Sequence, residues 1–221
     1  MRNKLQSIYG LLLDRYGPQG WWPAETPLEI VVGAILTQGV AWSNVEKAIS
    51  SLKEAALIDL HELDKATVEQ ISSLIHPTIY YNEKAKKLKN LLHFLRQRYH
   101  GELSRLFLLP MSKLRTELLS IKGIGEETAD SIILYAAGKP SFVIDAYTRR
   151  IFFRLRMADE KEQYTKLRSL FMNNLEEDIS LYKEYHALLV HHGKEHCRPI
   201  PVCAGCPLCS LCGFQADDCK L

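Results

Sequence analysis

Apolar residues recur at helical spacing along nearly the whole chain. Leu5, Ile8, Tyr9, Leu12, Leu13 and Tyr16 form one stripe that stops at Gly17-Pro18, which predicts a first amphipathic helix. Trp21-Trp22-Pro23 reads as an extended link. The run from Leu28 to Gln38 is ambiguous: Ile30, Val31 and Val32 favour a strand, whereas its length and the scarcity of strand patterns elsewhere favour a buried helix. Ser43-x-x-Glu46 and Thr67-x-x-Gln70 read as capping boxes opening two helices, the second stopped by His76-Pro77. Tyr80-Tyr81-Asn82 leads into a basic helix with Leu88, Leu91, Leu92 and Leu95 on its apolar side, and Pro110 breaks the chain before the next. Tyr147, Ile151, Phe152 and Leu155 mark a helix after Ile144, and helical patterns span Tyr164 to Leu175 and Tyr182 to His192. Nothing alternates as a sheet would, so an all-α fold is predicted.

Composition narrows this further. The 221 residues are enough for a substantial core, and two lobes are favoured over one large domain. A net charge of +2 does not announce a nucleic-acid binder, so a basic surface would have to come from segregation of charge. Lys84, Lys86, Lys87, Lys89, His93, Arg96 and Arg98 do share one span, and Glu176, Glu177 and Asp178 lie elsewhere. No apolar run reaches the roughly 18 residues of a membrane span, and the N-terminus lacks a signal pattern, so a soluble cytoplasmic protein with no membrane partner is expected. All six cysteines fall between Cys197 and Cys219, which suits a local metal or cluster site better than a disulfide framework.

The chemistry is sought in the stretch from Leu118 to Asp130, Leu-Leu-Ser-Ile-Lys-Gly-Ile-Gly-Glu-Glu-Thr-Ala-Asp, and in Phe142-Val143-Ile144-Asp145 beyond it. Gly123 and Gly125 permit a tight turn and close approach of another molecule. The amides and dipole of the helix that follows suit a phosphate. Taken alone, a Gly-x-Gly is more simply a turn between helices, and a lone Asp145 more simply an N-cap. The spacing Cys197-x5-Cys203-x2-Cys206-x5-Cys212 places four thiols on a compact loop, suited either to zinc or to an iron-sulfur cluster.

Together, Leu-x-x-Ile-x-Gly-Ile-Gly-x-x-Thr-Ala-x-x-Ile and the Asp in its Val-Ile-Asp setting resemble the helix-hairpin-helix DNA glycosylase superfamily. The resemblance implies a six-helix barrel from about 21 to 135 that carries the hairpin. Residues 1–20 and 136–221 would form a second helical lobe, with DNA held between the two. It implies that the hairpin, through Lys122, Gly123 and Gly125, grips the damaged strand and that Asp145 is essential for base removal. It also decides for iron, because endonuclease III and its relatives carry a similar cysteine loop, usually with x6 in the first gap. Cys197, Cys203, Cys206 and Cys212 would then hold a [4Fe-4S] cluster, with Cys209 and Cys219 outside the ligand set. The cluster would fix Lys194 and Arg198 against phosphates.

In relatives that also nick the strand, a lysine follows the second glycine by two residues; here that position is Glu127. A carboxylate forms no Schiff base, so a monofunctional glycosylase is expected. Asp145 would stabilise the oxocarbenium ion and orient water. Gln38 matches a glutamine inserted near the lesion, Tyr80 a wedge residue, and Lys84 lies in a backbone-contacting stretch; Gln38 and Tyr80 also have plain readings as a satisfied buried polar group and a core aromatic. Trp21, Trp22 and Trp42 are candidates for a pocket that attracts a cationic alkylated base, or for core. Trp21-Trp22-Pro23, Gly33 to Gln38, Tyr81-Asn82-x-Lys84-Ala85-Lys86 and Lys122-Gly123-Ile124-Gly125 together resemble bacterial 3-methyladenine glycosylases of the endonuclease III branch, some of which lack the cluster. The expected partner is duplex DNA with a damaged base, bound near the nucleoid by a monomer. The rivals are a glycosylase/lyase for oxidised pyrimidines, a uracil or thymine mismatch glycosylase, and a non-catalytic DNA-binding or redox module.

Overall fold

The computed structural model describes residues 1–214, and among them there is helix and no strand. The chain divides into two compact units: Ala24–Lys139, and Met1–Pro23 joined by the chain from Pro140 onward.

In the first unit the ambiguous run is a helix, α2 (Pro27–Leu36), following α1 (Arg2–Tyr16) in the chain. Thr26 caps it by accepting from the Glu29 N–H, and Pro27 occupies its first turn. Val31, Val32, Ala34, Ile35 and Leu36 are all buried. A helix enclosed on most sides has no polar face, which is why its sequence also suits a buried strand. Gln38 lies beyond its end, in the following turn. Next come α3 (Trp42–Glu54), α4 (Leu60–Lys65), α5 (Val68–Leu74), α6 (Tyr81–Tyr99), α7 (Leu103–Phe107), α8 (Met111–Leu119) and α9 (Glu126–Ser131). A π-helical turn, Ile132–Ala136, follows α9 and packs on α2.

The capping box expected at Thr67 and Gln70 is present in both directions. The one expected at Ser43 and Glu46 is not. The helix begins two residues earlier, with Ala41 at its N-cap and no side-chain cap, which places Ser43 inside the first turn.

In the other unit α1 packs on α12 (Ile179–Glu195), alongside α10 (Ala146–Arg154) and α11 (Tyr164–Met172). Leu5, Ile8 and Leu12 of α1 are buried, and Tyr185 of α12 donates its hydroxyl to the Leu5 carbonyl at 2.9 Å. The core is aromatic. Phe142 stacks on Phe171 with ring centroids 3.8 Å apart, and Tyr182 and Tyr185 meet Phe142 edge-on. Phe142, Val143 and Ile144 are buried, so this apolar segment anchors the chain just before Asp145.

Candidate active site and nucleic-acid interface

The hairpin is α8, a short turn and α9. The two glycines of the turn differ in what the fold asks of them. Gly123 has φ +102°, and a Cβ there would lie 2.4 Å from Lys87 Cγ, so both backbone and packing require glycine. Gly125 is extended, with φ −91° and ψ −178°, and a Cβ would meet open space. It is exposed, and no side chain caps α9. Neither backbone conformation nor packing within the protein requires a glycine at 125. Below the turn, Arg115 of α8 grips the fully buried Asp130 of α9, with Nε to Oδ1 at 3.0 Å and Nη2 to Oδ2 at 3.1 Å, and also reaches Glu126 at 3.1 Å.

The turn is braced from outside the hairpin. Gln38 donates to the Gly123 carbonyl at 3.2 Å and to Thr128 Oγ1 at 2.9 Å, and its own oxygen accepts from Lys87 Nζ. Asn90 donates to the Lys122 carbonyl at 2.9 Å. Gln38 is thus committed to holding the hairpin, which differs from the expectation of a side chain presented to DNA; its alternative reading as a satisfied polar group is what the geometry shows. The Lys122 side chain is exposed.

The basic span of α6 is mostly spoken for. Lys84 is a correction: it is 2 % exposed and donates to the carbonyls of Leu36 at 2.8 Å and Thr78, so its ammonium points into the protein and not at phosphate. Lys86 pairs with Glu83, Lys89 with the Asp64 and Ala66 carbonyls, Arg96 with Asp64 and Arg98 with Glu117. A run of like charges in sequence is therefore not a basic patch in space. Tyr80, by contrast, is not core: it is 74 % exposed.

Asp145 caps α10, accepting from the Thr148 N–H at 2.7 Å through Oδ1. Its Oδ2 faces His186 Nε2 of α12 at 3.6 Å, longer than a hydrogen bond. Both side chains are buried. Burial pushes the Asp145 carboxyl up, but His186 and Thr148 together pull harder, and it lies below the ordinary value of 3.8. The carboxylate is accordingly ionised at neutral pH. His186 escaped the sequence reading because one histidine in the apolar Tyr182–His192 run carries no signal until α12 is laid against α10.

At the other end of α10, Arg150 and Arg154 hold the cysteine loop. Arg150 donates to the Cys197 carbonyl at 2.6 Å. Arg154 donates to the carbonyls of Arg198 at 2.6 Å and Pro199 at 2.8 Å, and to Cys197 Sγ at 3.2 Å. Cys197, Cys203, Cys206 and Cys212 are free thiols and line a single cavity of about 30 Å³ with Ile151 and Leu155. Burial and the neighbouring thiols push Cys206 up to about 11, so four thiolates would not gather here without a positive centre. His192 stands 3.9 Å from Cys206 Sγ and 2.9 Å from the Tyr16 hydroxyl, which ties α1 to the loop. Among the described residues no three His, Cys, Asp or Glu side chains are grouped so as to hold a metal ion, and the four thiols with their cationic neighbours are candidates in donor type alone. Cys209 is disulfide-bonded and hence outside that set, and Cys219 lies outside the described residues. Lys194 and Arg198 are both exposed, with Arg198 Nε donating back to the Lys194 carbonyl at 2.6 Å.

Trp21 and Trp22 are half-buried, with ring centroids 5.2 Å apart and planes tilted by 46°; Trp42 is also half-buried. None of the three is core.

An all-helical chain with a glycine-turn hairpin, a buried capping carboxylate and a four-thiol loop defines a class of helix-hairpin-helix proteins. The model of the HhH-GPD superfamily of base excision DNA repair proteins matches residues 32–177. The chain belongs to that superfamily. It is 47% identical over 210 residues to MJ1434 of Methanocaldococcus jannaschii, provisionally named a DNA repair glycosylase; the match covers 94% of this chain and 95% of that one. Among solved structures, a non-covalent endonuclease III–DNA complex superposes with a TM-score of 0.84 at 20% identity, covering 100% of this chain and 99% of that one. The 3-methyladenine DNA glycosylase MagIII of H. pylori, bound to 1,N6-ethenoadenine, superposes with a TM-score of 0.73 at 26% identity, covering 88% and 97%. Among the described residues no helix is long and apolar enough to cross a membrane.

Proposed function

We propose that the protein is a monofunctional DNA N-glycosylase that hydrolyses the bond between deoxyribose C1′ and a damaged base turned out of duplex DNA. The observation that carries this is the Asp145 carboxylate, held ionised by a helix N-terminus and His186, in a chain of the base-excision superfamily. As the C1′–N bond breaks, the base leaves with the bonding electrons and the sugar becomes an oxocarbenium ion. Asp145 stabilises that cation and accepts a proton from the water that adds to C1′, while a cationic N-alkylated purine takes the bonding electrons and departs as the neutral base, so no general acid is required. The unfilled space around Gly125 and the exposed Lys122 serve the DNA backbone, Tyr80 fills the gap left by the extruded base, and Lys194 and Arg198 meet phosphates further along.

The substrate we favour is an alkylated purine such as 3-methyladenine. The half-buried aromatic pair Trp21 and Trp22 is of the residue type that suits a cationic base, and the likeness to MagIII points the same way. A [4Fe-4S] cluster on Cys197, Cys203, Cys206 and Cys212 would supply architecture and take no part in the bond cleavage. A lyase acting on oxidised pyrimidines is the second reading, which the cysteine loop favours and Glu127 opposes.

One experiment separates these readings. Base release is measured in parallel on duplexes carrying alkylated purines, oxidised pyrimidines, uracil and mismatches, with borohydride added to a second set. We expect release of the alkylated purine without a covalent protein–DNA adduct, and its loss in Asp145→Asn with DNA binding retained. A borohydride-trapped adduct would overturn the monofunctional reading, and an active Asp145→Asn would overturn the mechanism.

A further inference from the structure

Ile79 and Tyr80 have φ of +48° and +52°, two consecutive left-handed residues with side chains, and both are exposed. Such a conformation is strained for a residue with a side chain and persists only where the surroundings impose it. What imposes it is immediately below. Thr78 is fully buried, its hydroxyl donates to the Ile75 carbonyl at 2.8 Å, and its own carbonyl accepts from Lys84 Nζ. The same ammonium donates at 2.8 Å to the carbonyl of Leu36, the last residue of α2. Two residues after Leu36 comes Gln38, which holds the hairpin turn through Gly123 and Thr128.

A methionine would fill the same volume without bringing a charge indoors. Burial, reinforced by Lys87, lowers the Lys84 pKa to about 8, which shows that the site disfavours the ammonium it contains. An unfavourable charge with two carbonyl acceptors at the roots of two separate segments has a positional use. We propose that Lys84 is a positioning residue: it clamps the Thr78 and Leu36 carbonyls together, so that Tyr80 projects rigidly and in fixed relation to the Gln38–hairpin assembly. This rests on the reading that Tyr80 enters the duplex. Lys84 touches no DNA and acts through Tyr80.

A double-mutant cycle tests the clamp. The parent, Lys84→Met, Tyr80→Ala and the double variant are compared in single-turnover base release and in the fluorescence of 2-aminopurine placed beside the lesion, which rises when its neighbour unstacks. We expect each single variant to bind duplex and lose the fluorescence rise, and to slow release by about tenfold, with the double variant no slower than the worse single one. Losses that multiply would show that Lys84 supports the fold alone and would overturn the proposal. Should Lys84→Met not fold, Lys84→Gln, whose shorter side chain spans only one carbonyl, carries the same cycle. A parent that releases no base from any duplex would sink the glycosylase reading, while the 2-aminopurine cycle would still decide on the clamp.

Discussion

The chemistry of Asp145 is set by two contacts of different kinds. The Thr148 N–H on Oδ1 belongs to its own helix and comes with any N-cap aspartate, whereas His186 facing Oδ2 is supplied from α12. With the folded-state value below 3.8, ionisation of Asp145 contributes stability that is present above pH 3.8 and is lost as the pH falls through the folded value. His186→Leu removes the larger of the two favourable influences and leaves burial, which acts the other way, less opposed. The carboxyl value then rises. Base release by the variant should decline on acidification from neutrality over a range in which the parent is flat, and pH–rate profiles that superimpose would reduce His186 to packing.

At the scale of elements, the hairpin's fold requires glycine at 123 and not at 125. Gly123→Ala forces a left-handed alanine and a clash with Lys87, so it should lower the melting temperature as well as DNA affinity. Gly125→Ala costs the fold little, less than about 1 kcal/mol for the change of N-cap residue, yet it puts a methyl group where the backbone of DNA would come closest. We expect its melting temperature to stay near the parent's while affinity falls equally for damaged and undamaged duplex. A selective loss for damaged duplex would assign Gly125 to the base pocket instead. The helix α10 plays a comparable double part. Asp145 stands at its start, Arg150 and Arg154 near its end hold the cysteine loop, and Gly193 lets α12 approach so closely that a Cβ would sit 2.4 Å from Tyr147 Cδ1. The loop and the carboxylate are therefore fastened to one rigid rod.

For the whole molecule the electrostatic argument is one of placement. The cations of α6 are mostly paired within the protein, and on the proposed function the groups offered to phosphates are Lys122, Lys194, Arg198 and the open end of α9. Each neutralised phosphate releases about one counterion, so a plot of log affinity against log salt should have a shallow slope of about −3 to −4. Titration of duplex binding across a salt series checks this. No salt dependence would dismiss phosphate contact altogether, and a much steeper slope would show that the α6 cations rearrange on binding.

Much of this was legible in one dimension. The all-helical class, the Thr67 capping box, the hairpin, the capping Asp145 and the four-thiol loop depend on residues close together in the chain, whose spacing alone sets their local geometry. Where the reading departed from the structure, the deciding partner was distant. Ser43 lost its box because the helix began two residues earlier. Lys84 turned inward because two carbonyls from other segments were there to receive it, and Gln38 was taken up by a turn 85 residues away. His186, Arg150 and Arg154 acquired roles only when α10 and α12 came together. The sequence by itself determined the helices, the corner between α8 and α9 and the types of chemical group available. Only the tertiary structure decided which polar side chains are spent holding the protein together and which are left for another molecule, because the energy of burying a charge depends on partners that local spacing does not contain.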